Sequence, residues 1–156
     1  MATQDEAAKA KARLAGAYGL ASPADNRCYY RGFAEDYDDG FAAALGYAFP
    51  PAIAQAYRNM ASAADTPVAD IGCGTGLVAA ALGLSADRID GMDISPEMLT
   101  KARAKGLYRA LIEVDLTGDI SHLAVRYGAV LSAGAFTHGH LGPDALNNLL
   151  SIARAG

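Results

Sequence analysis

The stretch VADIGCGTGLVA, Val68 to Ala79, decides the fold. An apolar run of strand length carries Asp70 and breaks into Gly72, Gly74 and Gly76 before a helical pattern begins at Leu77. Strand, glycine turn and helix open a parallel α/β unit, and the turn offers backbone N–H groups and the positive end of a helix dipole to an anionic group. The glycines alone leave the ligand open, because Gly74, Gly76 and Ala79 also fit the dinucleotide spacing G-x-G-x-x-A. Asp70 narrows the choice. A carboxylate two residues ahead of Gly72 repels a pyrophosphate and welcomes an ammonium group beside a carboxylate, as in an amino-acid tail. S-adenosylmethionine carries such a tail.

Outward from this turn the pattern repeats. Apolar segments at Val68 to Ile71, Ile89 to Ile94, Ala110 to Val114 and Ala129 to Leu131 are each followed by a helical or turn-like stretch, about every twenty residues. The alternation predicts a Rossmann-like α/β fold, a parallel sheet covered by helices with right-handed crossovers. In SPEMLTKARAKG, Ser95 caps, Pro96 takes the first helical position, Met98, Leu99 and Ala102 face inward and Gly106 stops the helix. Two further aspartates stand at strand ends. Asp93 suits both hydroxyls of a ribose, and Asp115, with the backbone of Leu116, suits the amino edge of adenine. Three carboxylates with no lysine or arginine among them describe a ligand rich in donors and poor in phosphate, a sulfonium nucleoside before a dinucleotide.

The N-terminal part reads as helical. Thr3 and Glu6 form a capping-box start, Ala7, Ala10, Leu14 and Ala17 recur at helical spacing, and Asp5 and Lys9 are placed as an exposed ion pair. In PPAIAQAYRNMASAA, Ile53, Tyr57, Met60 and Ala64 fall on one stripe behind two prolines. The acidic EDYDD run reads as a solvated face. Residues 1–66 are therefore expected to form a helical lid region and 67–156 the α/β core, within a single domain.

Composition bounds the partners. With 156 residues, 52% hydrophobic and 19% charged, the chain suits one globular domain. A net charge of -4 without any Lys/Arg block argues against nucleic acid or an anionic membrane as the main partner. No apolar run approaches the roughly 18 residues of a span, and the N-terminus lacks the apolar core of a secretory signal. Cys28 and Cys73 form no disulfide framework, so the expected location is cytoplasmic.

VADIGCGTG, IDGMDISPEML, IEVDLTGDI and YGAVLSAGAFTHGHL resemble four consecutive signature segments of class I S-adenosylmethionine-dependent methyltransferases. YRGFAEDYDDGFAAALGYAFPPAIA resembles the helical lid of a small-molecule branch near the Williams-Beuren-region type, so the resemblance covers roughly residues 27 to 156. It implies a methyltransferase acting on a small acceptor. Gly72, Cys73, Gly74 and Gly76 would then lie against the methionine part, Asp70 would steer its ammonium group and Asp93 would hold the ribose. Ile94 and Met98 would flank the adenine, Asp115 and Leu116 would read it, and Ser132 with Ala133 would close the site. Tyr29 and Tyr37 would belong to the lid, and Phe136 to the acceptor pocket. His138 and His140 alternate, face one way if extended, and supply a candidate general base; a metal site would need a third ligand that the sequence does not offer. Bland roles stay open beside these: helix packing or capping for Gly76 and Gly83, turn capping for Asp115, core for Met98 and packing for the tyrosines.

The family sheet runs 3-2-1-4-5-7-6, whereas this sequence stops near the turn into a fifth strand, so strands 3-2-1-4 are expected, with strand 4 as an open edge. A fragment, a sheet completed by a second chain and a reduced cofactor-binding protein without catalysis all fit. The expectation is a homodimer that completes or covers the strand 4 edge. An NAD-dependent oxidoreductase is the remaining alternative.

Overall fold

A computed structural model describes residues 4–32 and 34–155. Helices α1 (Gln4–Tyr18) and α2 (Pro23–Arg31) lead through a 3-10 turn (Ala34–Asp36) and a π-helical turn (Tyr37–Ala42) into α3 (Ala43–Leu45) and α4 (Phe49–Met60). Strand β1 (Val68–Ile71), α5 (Leu77–Leu82), β2 (Ile89–Asp93), α6 (Pro96–Lys105), β3 (Ala110–Glu113), β4 (Ala129–Ser132) and α7 (Ala145–Ile152) follow. The sheet is parallel in the order β3-β2-β1-β4, with Asp70 level with Gly91 on β2 and Leu131 on β4.

The helix starts follow from local chemistry. Ser22 Oγ accepts from Asp25 N at 3.1 Å ahead of Pro23, and Ser95 Oγ accepts from Met98 N at 3.2 Å ahead of Pro96. Each serine satisfies one backbone donor that the first turn leaves orphaned. Alternation along β1 then splits the core in two. Val68 packs with Ile89, with Val78, Ala79 and Leu82 of α5, and with Ala54 of α4. On the other face Ala69 and Ile71 pack with Met92, Leu116, Ile120, Tyr127, Leu149 and Ile152. Each buried Val, Leu or Ile contributes about 1.5–3 kcal/mol. Helices therefore cover both faces and leave the carboxyl ends of the strands free for a site.

Several expectations are corrected. The Thr3 half of the capping box lies outside the described residues. Lys9 Nζ lies 3.6 Å from Asp36, a longer-range partner than Asp5. Helix α4 ends at Met60, which is 86% exposed, because Ser62 restarts the chain: its Oγ accepts from Ala64 N while Asp65 accepts from Ser62 N. Met60 and Ala64 thus share no buried stripe. The outer side of β4 is bare only in part, since Tyr127, two residues before the strand, forms a parallel bridge with Ala153.

Candidate active site

A cleft of about 800 Å3, its open mouth included, lies over the carboxyl ends of the strands. Four parts of the chain wall it. Gly72 and Gly74 supply the glycine turn, Asp93, Ile94 and Met98 the end of β2 and start of α6, Asp115 and Leu116 the turn after β3, and Ala133 the end of β4. The N-terminal helices close it with Asn26, Tyr30, Tyr37 and Tyr47, and His140 lies on the loop after β4. No lysine or arginine is among the lining residues.

Two glycines make the turn possible. Gly72 has φ 63°, and a Cβ there would sit 2.5 Å from the Ala135 Cβ. Gly74 has φ 53°, and a Cβ added to it would meet nothing within 4 Å, so its backbone faces open space that a ligand can fill. Asp93 locks the turn. Its Oδ2 accepts from Gly74 N at 2.8 Å and its Oδ1 from Ser95 N at 2.9 Å. Burial raises the Asp93 pKa, while the N–H donors of Ser95, Gly74 and Ile94 hold it down.

Asp70 sits beneath the turn, fully buried and outside the lining. Tyr108 donates to its Oδ2 at 2.7 Å, and its Oδ1 has no partner among the described residues. Burial pushes the carboxyl up to about 7; the Tyr108 hydrogen bond works against this and the nearby Asp93 charge adds to it. An unmet buried acceptor costs about 1–3 kcal/mol, so this oxygen asks for a donor. Asn26 Oδ1 is in the same condition.

The other expected residues divide. Asp115 caps its turn, Oδ1 accepting from Thr117 N at 2.9 Å and from Thr117 Oγ1 at 2.6 Å, and it lines the cleft as well. Met98 is both buried core and lining. Cys73 is buried behind the turn, its thiol pushed up by burial, and Gly76 caps α5; neither lines the cleft. Ser132 spends its hydroxyl on Ile71 O at 3.0 Å, and Ala133 O accepts from Tyr47 at 3.0 Å.

Tyr37 reaches the cleft, whereas Tyr29 does not: its hydroxyl donates to Arg13 O, and its ring packs in the cluster of Ala10 and Phe41. Phe136, 36% exposed, also lies outside the lining. The two histidines do not face the same way. A turn closed by His140 N to Thr137 O at 3.0 Å replaces the extended segment, leaving His138 exposed and placing His140 in the cleft. Among the described residues no group of three His, Cys, Asp or Glu is placed to hold a metal ion. The sequence reading missed Tyr30, Tyr47 and Asn26 as lining residues and Tyr108 as the partner of Asp70.

A family model for the methyltransferase domain matches residues 68–156, the segment that carries the glycine turn, Asp93 and Asp115. The chain belongs to the methyltransferase-domain family. The domain's fold is shared with solved structures. The chain is similar to DhpI in a complex with SAM and HEP, at 27% identity and TM-score 0.61 over 83% of this chain and 59% of that one. It shares the fold of the magnesium protoporphyrin IX methyltransferase ChlM from Synechocystis PCC 6803 with bound SAM, at 22% identity and TM-score 0.64 over 86% and 73% of the two chains. It shares the fold of Streptomyces venezuelae DesVI at 22% identity and TM-score 0.54 over 70% of this chain. The chain spans 48% of the length of DesVI and 59% of that of DhpI. No curated protein sequence matches it.

Proposed function

We propose that this methyltransferase domain binds S-adenosylmethionine in the cleft and methylates a small acceptor. The charge of the cleft carries the reading: Asp93 and Asp115 line it, Asp70 underlies it, and no lysine or arginine faces a phosphate. The residues present fit the cofactor. The partnerless Oδ1 of Asp70 suits its ammonium group, the open Gly74 backbone its methionine part, and Asp93 its ribose. Ile94 and Met98 suit the two faces of the adenine, with Asp115 and the Leu116 backbone at its edge. When bound, the cofactor supplies an activated methyl group; the chain's share is to align the acceptor, exclude water and move a proton.

The test is calorimetry with S-adenosylhomocysteine, which is expected to bind and to resist competition by NAD. Binding of NAD in its place sinks the cofactor assignment. Transfer of labelled methyl from S-adenosylmethionine into a metabolite extract tests the reaction, and binding without transfer marks a cofactor-binding protein. Two further parts of the proposal are a cytoplasmic location, on the unpaired Cys28 and Cys73, and pairing with a second copy along the outer side of β4, which among the described residues carries only the Tyr127–Ala153 bridge.

A further inference from the structure

We infer that Asn26, Tyr30 and His140 form an acceptor site for an uncharged molecule with two hydroxyls, in which Asn26 Oδ1 holds one and Tyr30 passes the proton of the other to His140 Nε2. The inference rests on the methyltransferase reading and adds the acceptor class and the proton path.

Helix α2 sets Asn26 and Tyr30 one turn apart on the same face, and both line the cleft. Asn26 is 6% exposed. Its amide nitrogen donates to Gly139 O at 2.6 Å and to Ser22 O at 3.0 Å, which ties α2 to the loop after β4 and uses both donors. Only the acceptor oxygen is left, buried and without a partner among the described residues. An incoming N–H or O–H group satisfies it; another acceptor does not.

The histidine tautomer follows from its neighbours. Thr137 Oγ1 donates to Gly134 O at 3.4 Å and so receives from His140 Nδ1 at 3.0 Å; His138 O, 3.3 Å from the same nitrogen, can only accept. The ring proton is therefore on Nδ1, and the bare Nε2 accepts from the Tyr30 hydroxyl at 2.8 Å. Burial lowers the His140 pKa; the hydrogen bond to the His138 carbonyl works against this and the His138 ring adds to it, a net shift that favours the neutral base. Burial first, then the Asp93 charge, raises the Tyr30 pKa, which keeps it a phenol able to receive one proton while giving up another. The titratable groups that face the ring and its donor are Tyr30 from α2, His138 from the ring's own turn and, acting through Tyr30, Asp93, Tyr29, Tyr47, Tyr18 and Tyr37.

In the reacting step the acceptor's O–H bond breaks as its oxygen takes the methyl group, whose bonding pair stays with sulfur. That proton moves to Tyr30 Oη while the Tyr30 proton moves to His140 Nε2. Tyr30 ends as a phenol and His140 as an imidazolium. A cleft without lysine or arginine gives a carboxylate or phosphate on the acceptor no counter-charge, and the rings of Tyr37 and Tyr47 with Met98 and Leu141 suit an apolar body.

Nitrogen-15 spectra of the imidazole rings in the ligand-free protein test the relay. The expected result is a neutral His140 at pH 7 with its proton on Nδ1, and a titration midpoint that rises in Tyr30→Phe because the donor to Nε2 is gone. A proton on Nε2, or an unchanged midpoint in Tyr30→Phe, overturns it. The acceptor class is tested on the same signals with S-adenosylhomocysteine present. Catechol should bind about tenfold more tightly than phenol or 3,4-dihydroxybenzoate, the worth of one hydrogen bond; equal or reversed affinities, or no shift with any of them, overturn the class. Calorimetry of S-adenosylhomocysteine on the same samples separates the two levels. Intact binding with failed ring signals rejects the relay alone, and absent binding rejects the cofactor reading.

Discussion

At the residue scale, Asp70 and Tyr108 make a proton-linked pair. The Tyr108 ring is wedged against Gly76 and Gly91, where a Cβ would meet it at 3.0 and 2.9 Å, and this brings its hydroxyl onto the buried carboxylate. The folded pKa of Asp70 lies near 7 against an ordinary 3.8, so between those values the native chain keeps a proton that the unfolded chain has released. Stability contributed at this site is therefore lost as pH rises from about 4 to about 7. Asp70→Asn should remove that slope, so that urea midpoints of the variant gain on those of the parent from pH 4.5 to pH 7.5; a difference constant in pH refutes the assignment. An ammonium group beside Oδ1 favours the carboxylate. Binding of S-adenosylhomocysteine at pH 6 should then release a proton in the parent and none in the variant, as read by calorimetry in two buffers of different ionisation heat.

At the element scale, the acidic run of the N-terminal segment is part solvated face, with Glu35 and Asp39 exposed, and part seam against α6. Arg31 pairs with Glu97 at 2.8 Å, Glu35 with Lys101, and Asp38 with Lys105 at 2.5 Å. Glu97, Lys101 and Lys105 recur every four residues along α6, so one helix face meets a complementary row. Thr75 in the glycine turn also donates to Asp38, which links the seam to the cleft floor. Each exposed pair contributes up to about 1 kcal/mol and is screened by salt. Lys101→Glu should speed amide exchange in α2, as should 0.5 M salt in the parent, and Glu35→Lys in the same chain should restore the protection. Exchange in α2 that ignores both changes argues that apolar packing alone holds this segment.

At the scale of the whole molecule, one buried carboxylate ties the sheet together. Asp90 on β2, 1% exposed, accepts from Arg109 at 2.9 and 2.6 Å, from Ala110 N at 3.1 Å and from Tyr127 at 2.8 Å. Those donors stand at the entries to β3 and β4, so the strands on either side of the β2–β1 pair are pinned from one residue. Arg109→Leu leaves a buried charge short of its partner and should cost about 3–5 kcal/mol, whereas Tyr127→Phe should cost about 1–2 kcal/mol. Denaturant midpoints check both, and an Arg109→Leu protein as stable as its parent removes Asp90 from this role. For the whole chain, light scattering should give the mass of a dimer; a monomer in dilute solution rejects pairing along β4.

The fold was legible because its signals are local. Hydrophobic period, glycine spacing and the Ser-Pro start of α6 act within a few residues, and they place β1, the turn and Asp93 before any packing is known. Where local signals compete, legibility fails: the periodicity through Met60 and Ala64 continues past a helix that Ser62 interrupts, and the alternation of His138 and His140 holds only for an extended segment. Tyr108 and Asn26 carried no signal at all. The value of Tyr108 comes from two glycines on other elements, and that of Asn26 from a carbonyl more than a hundred positions away. The sequence by itself determined a parallel α/β sheet with a glycine turn and carboxylates at its strand ends, because backbone geometry and side-chain period are set by near neighbours. Only the tertiary structure decided which rings and amides enclose the cleft, which histidine reaches it and which oxygens await a donor, because burial and hydrogen-bond partners are properties of groups that the fold brings together from distant positions.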